Sequence, residues 1–220
     1  MPRDDLRSIR LITQSHLEGQ TSAVWKSLSI RAEGLSGLAL INQQDVLAKL
    51  DQQREALANQ FERDFAMDPM TDDCFHRWGR STNVPPVAAG LRVTSPGADH
   101  WKSVGMSSQV ALEGDFDVMV SLDVLRFGKP KPRQNSSFYL QVELPDKAKT
   151  QANLLFLEYP HGARQVYAQN RTIRDDGTRA YERLQVASVD AIDSLRLARR
   201  GNRLTYLYRE KNSSSDRVLT

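Results

Sequence analysis

The chain of 220 residues has a single cysteine, Cys74. An intramolecular disulfide needs two cysteines, so none stabilises this fold. No hydrophobic run approaches the roughly 20 residues of a membrane-spanning helix. The N-terminus, with residues 1–5 reading Met-Pro-Arg-Asp-Asp, also lacks the apolar core of a secretory signal. We therefore expect a protein without a membrane span, cytoplasmic by default unless the sequence belongs to a longer exported chain.

A large excess of either charge is also missing. The 30 basic residues are set against 27 acidic ones, which leaves a formal net charge of +3. Such a balance is typical of paired or solvated surface charge, whereas nucleic-acid-binding domains concentrate basic residues on one surface. We therefore expect no nucleic-acid partner. With 40% hydrophobic residues, the chain is long enough to bury a core.

What the sequence does have is alternation. Between residues 114 and 125, apolar side chains occupy every second position: Phe116, Val118, Val120, Leu122 and Val124. The positions between them are mostly polar: Asp115, Asp117, Met119, Ser121 and Asp123. Successive side chains of a strand point to opposite faces, so this segment predicts a strand with one apolar face. One-sided burial is typical of an antiparallel sheet.

Similar segments recur along the chain. Two strands are predicted before residue 34, at 8–14 and 22–32. Nine more are predicted from residue 87 onward, at 87–94, 106–112, 115–127, 137–144, 153–159, 164–169, 179–187, 194–199 and 203–209. Gly201 and Asn202 lie between the last two, which predicts a tight hairpin. This many short strands with regular turns indicates a mostly β fold, an antiparallel two-sheet sandwich.

One helix is expected, over residues 43–65. Its apolar residues recur at spacings of three, four and seven: Val46, Leu47, Leu50, Leu57, Phe61 and Phe65. The simpler interpretation is a helix packed on the sandwich or serving as a linker. The alternative is a coiled-coil arm, for which about three heptads are the lower limit. Residues 68–86, with three prolines, are expected to form an irregular boundary loop.

The last predicted hairpin resembles a hairpin of concanavalin A-like jelly-roll domains. The shared pattern is an apolar strand, arginine, Gly201-Asn202 and an aromatic-rich strand, over residues 194–208. Residues 114–118 (Gly-Asp-Phe-Asp-Val) resemble a strand of the same superfamily. The likeness covers residues 87–220 and is closest to bacterial families of that fold with no assigned function. It implies a jelly-roll sandwich and says little about activity.

Residues 22–30 resemble the closing strand of such domains, which leaves two arrangements open for residues 1–34. They complete the sandwich of residues 87–220, or they are the tail of a preceding repeat in a longer protein. We favour completion within the chain, because an unpaired sheet edge invites association. A second chain could supply the same pairing. Residues 35–86 then form the helix and linker.

Enzymes of the resembled superfamily that hydrolyse glycans carry a Glu-x-Asp-x-x-Glu strand, and this chain has none. The nearest segment is residues 113–117, where Asp115 and Asp117 share one strand face. Our first interpretation of these carboxylates is a solvated face, and we predict no catalytic residue. The alternative is a Ca²⁺ site at Asp115 and Asp117, because clustered oxygen ligands suit calcium. Asp175 and Asp176 are a further calcium candidate, although they also fit a β-turn.

Five arginines make the terminal hairpin basic: Arg196, Arg199, Arg200, Arg203 and Arg209. They could bind an acidic glycan or phosphate, pair with aspartates of a neighbouring strand, or protect an edge. Aromatic residues that could form a carbohydrate platform or pack in the core are Trp25, Trp101, Tyr139, Tyr159, Tyr167, Tyr181, Tyr206 and Tyr208. Of these, Tyr206 is expected to pack inward or against its partner strand.

The ligand-binding prediction is Arg196, Arg199, Arg203, Tyr206 and Tyr208. The predicted function is a non-catalytic binding or structural module that recognises a carbohydrate or a protein. The alternatives are a glycan hydrolase with an atypical carboxylate pair and a purely architectural domain. No cofactor other than calcium is suggested, and the oligomeric state is left open.

Overall fold

The computed structural model describes most of the chain. The described residues are 8–15, 21–32, 43–67, 75–78, 84–95, 102–108, 112, 114–128, 130, 132, 135–144, 150–174 and 176–219. Cys74, Trp101 and Asp175, which are named above, lie outside the described residues.

The described residues form one helix, α1 (Gln43–Glu55), and fifteen strands. The first seven strands are β1 (Ser8–Ser15), β2 (Thr21–Ala32), β3 (Asn59–Asp64), β4 (Phe75–Trp78), β5 (Pro86–Val87), β6 (Gly90–Ser95) and β7 (Lys102–Ser108). The remaining eight are β8 (Phe116–Arg126), β9 (Ser136–Glu143), β10 (Gln151–Glu158), β11 (Arg164–Ile173), β12 (Arg179–Ser188), β13 (Ile192–Arg200), β14 (Arg203–Glu210) and β15 (Arg217–Val218).

The strands form two antiparallel sheets. The seven-stranded sheet has the order β12-β11-β10-β9-β1-β7-β4. The eight-stranded sheet has the order β15-β14-β13-β8-β2-β6-β5. Its eighth strand, β3, is not part of this order and pairs with β2. The predicted fold class, a mostly β antiparallel sandwich with one helix, is confirmed. The Gly201-Asn202 turn is confirmed as well, since Arg200 pairs with Arg203 across it.

The core lies between the sheets and consists mainly of the apolar side chains that alternate along each strand and point inward. On β8, Phe116, Val118, Val120 and Leu122 are all at most 2% exposed. Phe138 of β9 and Phe156 of β10 face them from the other sheet, and each ring lies 5.2 Å from the Phe127 ring. Burial of side chains of this size stabilises a fold by about 1.5–3 kcal/mol each.

The two N-terminal strands lie in the interior of the sheets. Strand β1 pairs with β7 and β9 in one sheet. Strand β2 pairs with β8 along its length, and on its other side with β6 and β3 in turn. Leu28, at the middle of β2, is completely buried. Residues 8–32 thus contribute an interior strand to each sheet.

The predicted helix over residues 43–65 is wrong beyond Glu55. The chain leaves the helix at a turn and returns as β3, in which Phe61 pairs with Ile30 of β2. In that segment Phe61, Arg63 and Phe65 alternate with polar residues, so a strand also fits the pattern. Strand β6 covers β2 only at residues 21–25, and β3 supplies the missing partner at residues 27–32.

The expected boundary loop over residues 68–86 contains a strand, β4, which pairs with β7 at the edge of the seven-stranded sheet. Helix α1 packs on the eight-stranded sheet, as the simpler interpretation predicted. Its Leu50 is buried against Ala198 and Leu207. The outer face of that sheet is therefore partly covered by the helix.

Candidate functional site

A group of charged side chains lies where helix α1 covers the outer face of the eight-stranded sheet. At its centre, Arg196 of β13 contacts Asp117 of β8. The Arg196 Nε donates to Asp117 Oδ1 at 2.9 Å, and Nη2 donates to Oδ2 at 2.9 Å. Arg196 is 3% exposed and Asp117 is fully buried. This geometry is a bidentate ion pair, in which one planar guanidinium holds both carboxylate oxygens.

Helix α1 supplies two further members of this ion cluster, which we define as Asp51, Arg54, Asp117, Arg196 and Asp216. Arg54 Nη1 donates to Asp117 Oδ1 at 2.9 Å. Arg196 Nη1 donates to Asp51 Oδ1 at 2.7 Å and to Asp216 Oδ2 at 2.8 Å. Leu50, one residue before Asp51, packs on the same sheet face. The helix is therefore held by apolar contact and by charge together.

Arg200 and Asp115 extend the ion cluster toward the Gly201 turn. Arg200 Nε donates to Gln53 Oε1 at 2.5 Å, and its Nη1 donates to the Phe116 carbonyl at 3.1 Å. The Asp115 Oδ1 accepts a hydrogen bond from the Gly201 amide at 2.6 Å. These contacts join the starts of β8 and β14 to the helix.

The surroundings of Arg196 and Arg200 shift the pKa values of these two side chains. Burial lowers the pKa of Arg196, but its hydrogen bonds to Asp117 and the negative charge of that carboxylate outweigh burial and raise the pKa above its ordinary value. Burial lowers the pKa of Arg200. An arginine pKa stays far above neutral pH in either case, so both side chains remain charged. The cluster has the chemistry of a structural clamp.

The expectation of a solvated face at Asp115 and Asp117 is wrong, because they are 5% and 0% exposed. Alternation places them on the polar face of β8, but α1 covers the end of that face where they lie. No group of three or more histidine, cysteine, aspartate or glutamate residues suited to a metal ion occurs in the described part of the chain. A calcium site at Asp115 and Asp117 stays a prediction.

The five residues predicted to bind a ligand do not converge on one surface. Arg196 belongs to the ion cluster, and Tyr206 and Tyr208 belong to the core between the sheets. Arg199 lies at the end of β13, where its Nε donates to the Gly201 carbonyl at 2.9 Å. Arg203 is exposed beside the turn. Tyr206 packs inward as expected, and its hydroxyl contacts Asn170 Oδ1 at 3.2 Å.

A second group of side chains lies on the outer face of the seven-stranded sheet. Directly paired positions form a mostly apolar row that crosses all seven strands, roughly 29 Å at ordinary strand spacing. From β4 to β12 this row consists of Trp78, Gly105, Ile12, Tyr139, Leu155, Tyr167 and Val186.

The next row on the same face is polar. Its described side chains are His76, Ser107, Gln141, Asn153, Gln169 and Arg183. The middle of the two rows is buried, with Gln141 and Asn153 each 2% exposed. Among the described residues, neither the Gln141 Nε2 atom nor the Gln151 Oε1 atom on this face has a hydrogen-bond partner. Unpaired buried polar atoms of this kind are uncommon in native folds.

Strands β11 and β12 form one accessible end of this face. Its outward residues include Tyr167, Arg171, Arg179, Tyr181 and Arg183, which we call the arginine–tyrosine face. The outward side of these two strands carries no aspartate or glutamate. Tyr181 is 56% exposed. The Arg183 guanidinium lies over the Tyr167 ring, 5.1 Å from its centroid.

Hydrogen bonds hold two side chains of the arginine–tyrosine face in place. Arg183 Nη2 donates to Gln165 Oε1 at 3.5 Å, and the Tyr167 hydroxyl donates to Gln169 Oε1. Burial raises the pKa of Tyr167 and raises that of the neighbouring Tyr139 to about 12. Both phenols are therefore neutral donors at physiological pH. These tyrosines are among the eight aromatic residues that the sequence offers for a carbohydrate platform, but only the register between strands places them beside the arginines.

The comparisons with known proteins add a family but no activity. Within the part of the chain that the structure covers, no helix has the length and apolar character to cross a membrane. No curated protein and no solved structure matches this chain. One family model matches it over residues 1–80 and 79–220. The chain therefore belongs to the family described as "Protein of unknown function (DUF1583) C domain".

Proposed function

We propose that this domain is a non-catalytic binding module that recognises an anionic glycan on the arginine–tyrosine face. The observation that supports the proposal is the composition of that face. Three arginines and two tyrosines point outward from two adjacent strands that carry no outward carboxylate. A surface of this kind attracts anions.

The chemistry of these side chains fits a charged sugar polymer. A guanidinium group binds carboxylate or sulfate through two parallel hydrogen bonds. A tyrosine ring offers an apolar face for a sugar ring and a hydroxyl for a hydrogen bond. Tyr167 and Tyr181 lie two paired rows apart, roughly 14 Å along the strands. A ligand that contacts both is longer than a single sugar unit.

The resemblance of residues 194–208 to a concanavalin A-like hairpin supports a carbohydrate ligand by analogy, because sandwiches of that superfamily include carbohydrate-binding domains. Fold analogy alone does not establish function. The side chains of β11 and β12 are the stronger support.

The hydrolase alternative has less support. Glycoside hydrolysis requires two carboxyl groups at the scissile bond, about 5–5.5 Å apart for retention and 6.5–9.5 Å for inversion. The nearest candidate pair, Asp115 and Asp117, is buried, and Asp117 is held by Arg54 and Arg196 beneath α1. A substrate has no access to these carboxylates while the helix is in place.

The test is a binding assay with defined polysaccharides. Isothermal titration with a sulfated galactan, a polyuronate and a neutral glucan should show binding of the two anionic polymers only. Because the contacts are partly ionic, the affinity should fall as salt is added. Replacing Arg183 or Tyr181 by alanine should weaken binding by about tenfold each.

The matched control is Arg203→Ala, which removes an exposed arginine from the other sheet and should leave the affinity unchanged. Circular dichroism should confirm that every variant keeps its β structure. Equal binding of the neutral glucan would contradict the proposal. A loss of binding in the Arg203 variant, with Arg183→Ala unaffected, would move the site to the terminal hairpin.

A further inference from the structure

Exposed apolar side chains are concentrated on one edge strand. In the described ranges, five large hydrophobic side chains are exposed, and three of them lie on β12. They are Tyr181, Leu184 and Val186, with exposed fractions of 56%, 37% and 39%. Strand β12 ends the order of the seven-stranded sheet and pairs only with β11 within the described residues. A ten-residue edge with exposed apolar groups is a template for pairing.

We propose that β12 pairs antiparallel with β12 of a second copy of this chain, about a two-fold axis perpendicular to the sheet. Such an interface is self-complementary, because each strand meets the same surface of its partner. The proposal does not depend on the glycan-binding function.

A β-bulge in β12 makes this register consistent. The pairing with β11 shifts by one residue between Gln185 and Arg183, so Leu184 is the extra residue. Tyr181 and Val186 are five positions apart, and in a regular strand they would point to opposite faces. With the bulge they face Arg171 and Tyr167, which are four residues apart on β11. Both side chains therefore point outward.

The bulge also determines which residues of β12 direct their backbone N–H and C=O groups to the free edge. In an antiparallel ladder, residues alternate between pairs that exchange hydrogen bonds and pairs that do not. Arg171 and Tyr167 are an even number of residues apart, so Tyr181 and Val186 present the same kind of position at the free edge. A two-fold axis between Arg183 and Leu184 then places Tyr181 opposite Val186 of the second copy. Each dimer contains this apolar pair twice.

The charged residues of β12 do not oppose this pairing. In the proposed register, Arg179 lies opposite Ser188, Glu182 lies opposite Gln185 and Arg183 lies opposite Leu184. No like charges are therefore directly paired, which would destabilise the ladder. Arg183 lies over the Tyr167 ring of its own sheet, and Glu182 accepts a hydrogen bond from Asn170 at 3.5 Å.

Pairing would join the two seven-stranded sheets into one of fourteen strands. Because the two-fold axis is perpendicular to the sheet, both arginine–tyrosine faces would lie on the same side. A polymer that reached both copies would then bind with an avidity above that of one face.

The first experiment is sedimentation equilibrium over a series of protein concentrations. The wild-type chain should show a reversible monomer–dimer equilibrium. Val186→Lys should shift it to monomer, because the lysine would face Tyr181 of the other copy. The matched control is Leu125→Lys, which changes a 52% exposed residue on β8 and should leave the dimer intact. A wild-type chain that is monomeric throughout, or a dimer unaffected by Val186→Lys, would overturn the proposal.

The second experiment tests the register. In a Cys74→Ser background, the double variant Tyr181→Cys, Val186→Cys should form a disulfide-linked dimer on mild oxidation. Directly opposed residues have the Cα separation that a disulfide needs. Either single variant should stay unlinked, because its cysteines would lie roughly 14 Å apart along the strands. Crosslinking of the single variants to the same extent would show that the register is wrong.

Discussion

Two aspartates on the same strand show how strongly burial by a neighbouring element determines the role of a residue. Asp117 and Asp123 both lie on the outward face of β8. Asp117 is buried beneath α1 against two guanidinium groups. Asp123 is about one third exposed and contacts Lys26 Nζ at 2.8 Å, and that hydrogen bond lowers the pKa of Asp123. Alternation in the sequence predicts the shared face but cannot distinguish the two environments.

We expect the two residues to respond very differently to removal of their charge. Asp117→Asn should lower the free energy of unfolding by about 3–5 kcal/mol, because it leaves the buried Arg196 and the partly buried Arg54 without their central carboxylate. Asp123→Asn should cost less than about 1 kcal/mol, since it breaks an exposed pair. Urea denaturation of both variants measures the difference. If both variants lost the same free energy of unfolding, the charges of the ion cluster would be as well solvated as those of an exposed pair.

The same reasoning applies to the residues predicted to bind a ligand. Arg196, Tyr206 and Tyr208 are polar or aromatic and lie in a basic hairpin, which made them reasonable candidates. The structure buries all three. Their burial depends on the second sheet and on α1, which lie far away in the sequence. Residue type and strand parity could be predicted, but accessibility could not.

At the scale of elements, the helix was predicted correctly at its start and incorrectly at its end. Apolar residues at spacings of three and four continue through Phe65, so periodicity alone favours a longer helix. The chain instead forms β3, because half of β2 would otherwise lack a partner on one side. Local patterns were ambiguous here, and the tertiary need for strand pairing decided between them.

Helix α1 rests on few apolar contacts, which leads to a prediction about its stability. Leu50→Ala should release the helix, because this side chain is the helix residue buried against Ala198 and Leu207. Leucine-to-alanine changes in buried sites cost about 2–5 kcal/mol. Hydrogen exchange of the amides over residues 43–55 should become faster, while the strands of the core stay protected.

Lys49→Ala is the matched control for this experiment, since Lys49 is exposed on the neighbouring helix position. It should leave the exchange of α1 unchanged. If Leu50→Ala also left the helix protected, the charged contacts of Asp51 and Arg54 alone would be sufficient to hold it.

At the scale of the whole molecule, the fold depends on pairings between distant parts of the chain. Strand β2 lies beside β8, and β1 lies beside both β9 and β7. The sequence predicted most strands and their class, because alternation is a local property. It could not predict sheet order, register or which face the helix covers, and these features assemble the arginine–tyrosine face.

The interior position of β1 and β2 makes a strong prediction about truncation. A chain of residues 35–220 should not fold on its own, because each sheet would lose an interior strand and the apolar residues Leu28, Trp25 and Ala23 would leave the core. Its circular dichroism should show no cooperative unfolding transition. Adding a separate peptide of residues 1–34 should restore the transition, since the peptide can supply both strands, whereas a peptide of scrambled sequence should not. A cooperative transition in the truncated chain alone would mean that the remaining strands close both sheets by themselves, and the N-terminal strands would then be an accessory to the sandwich.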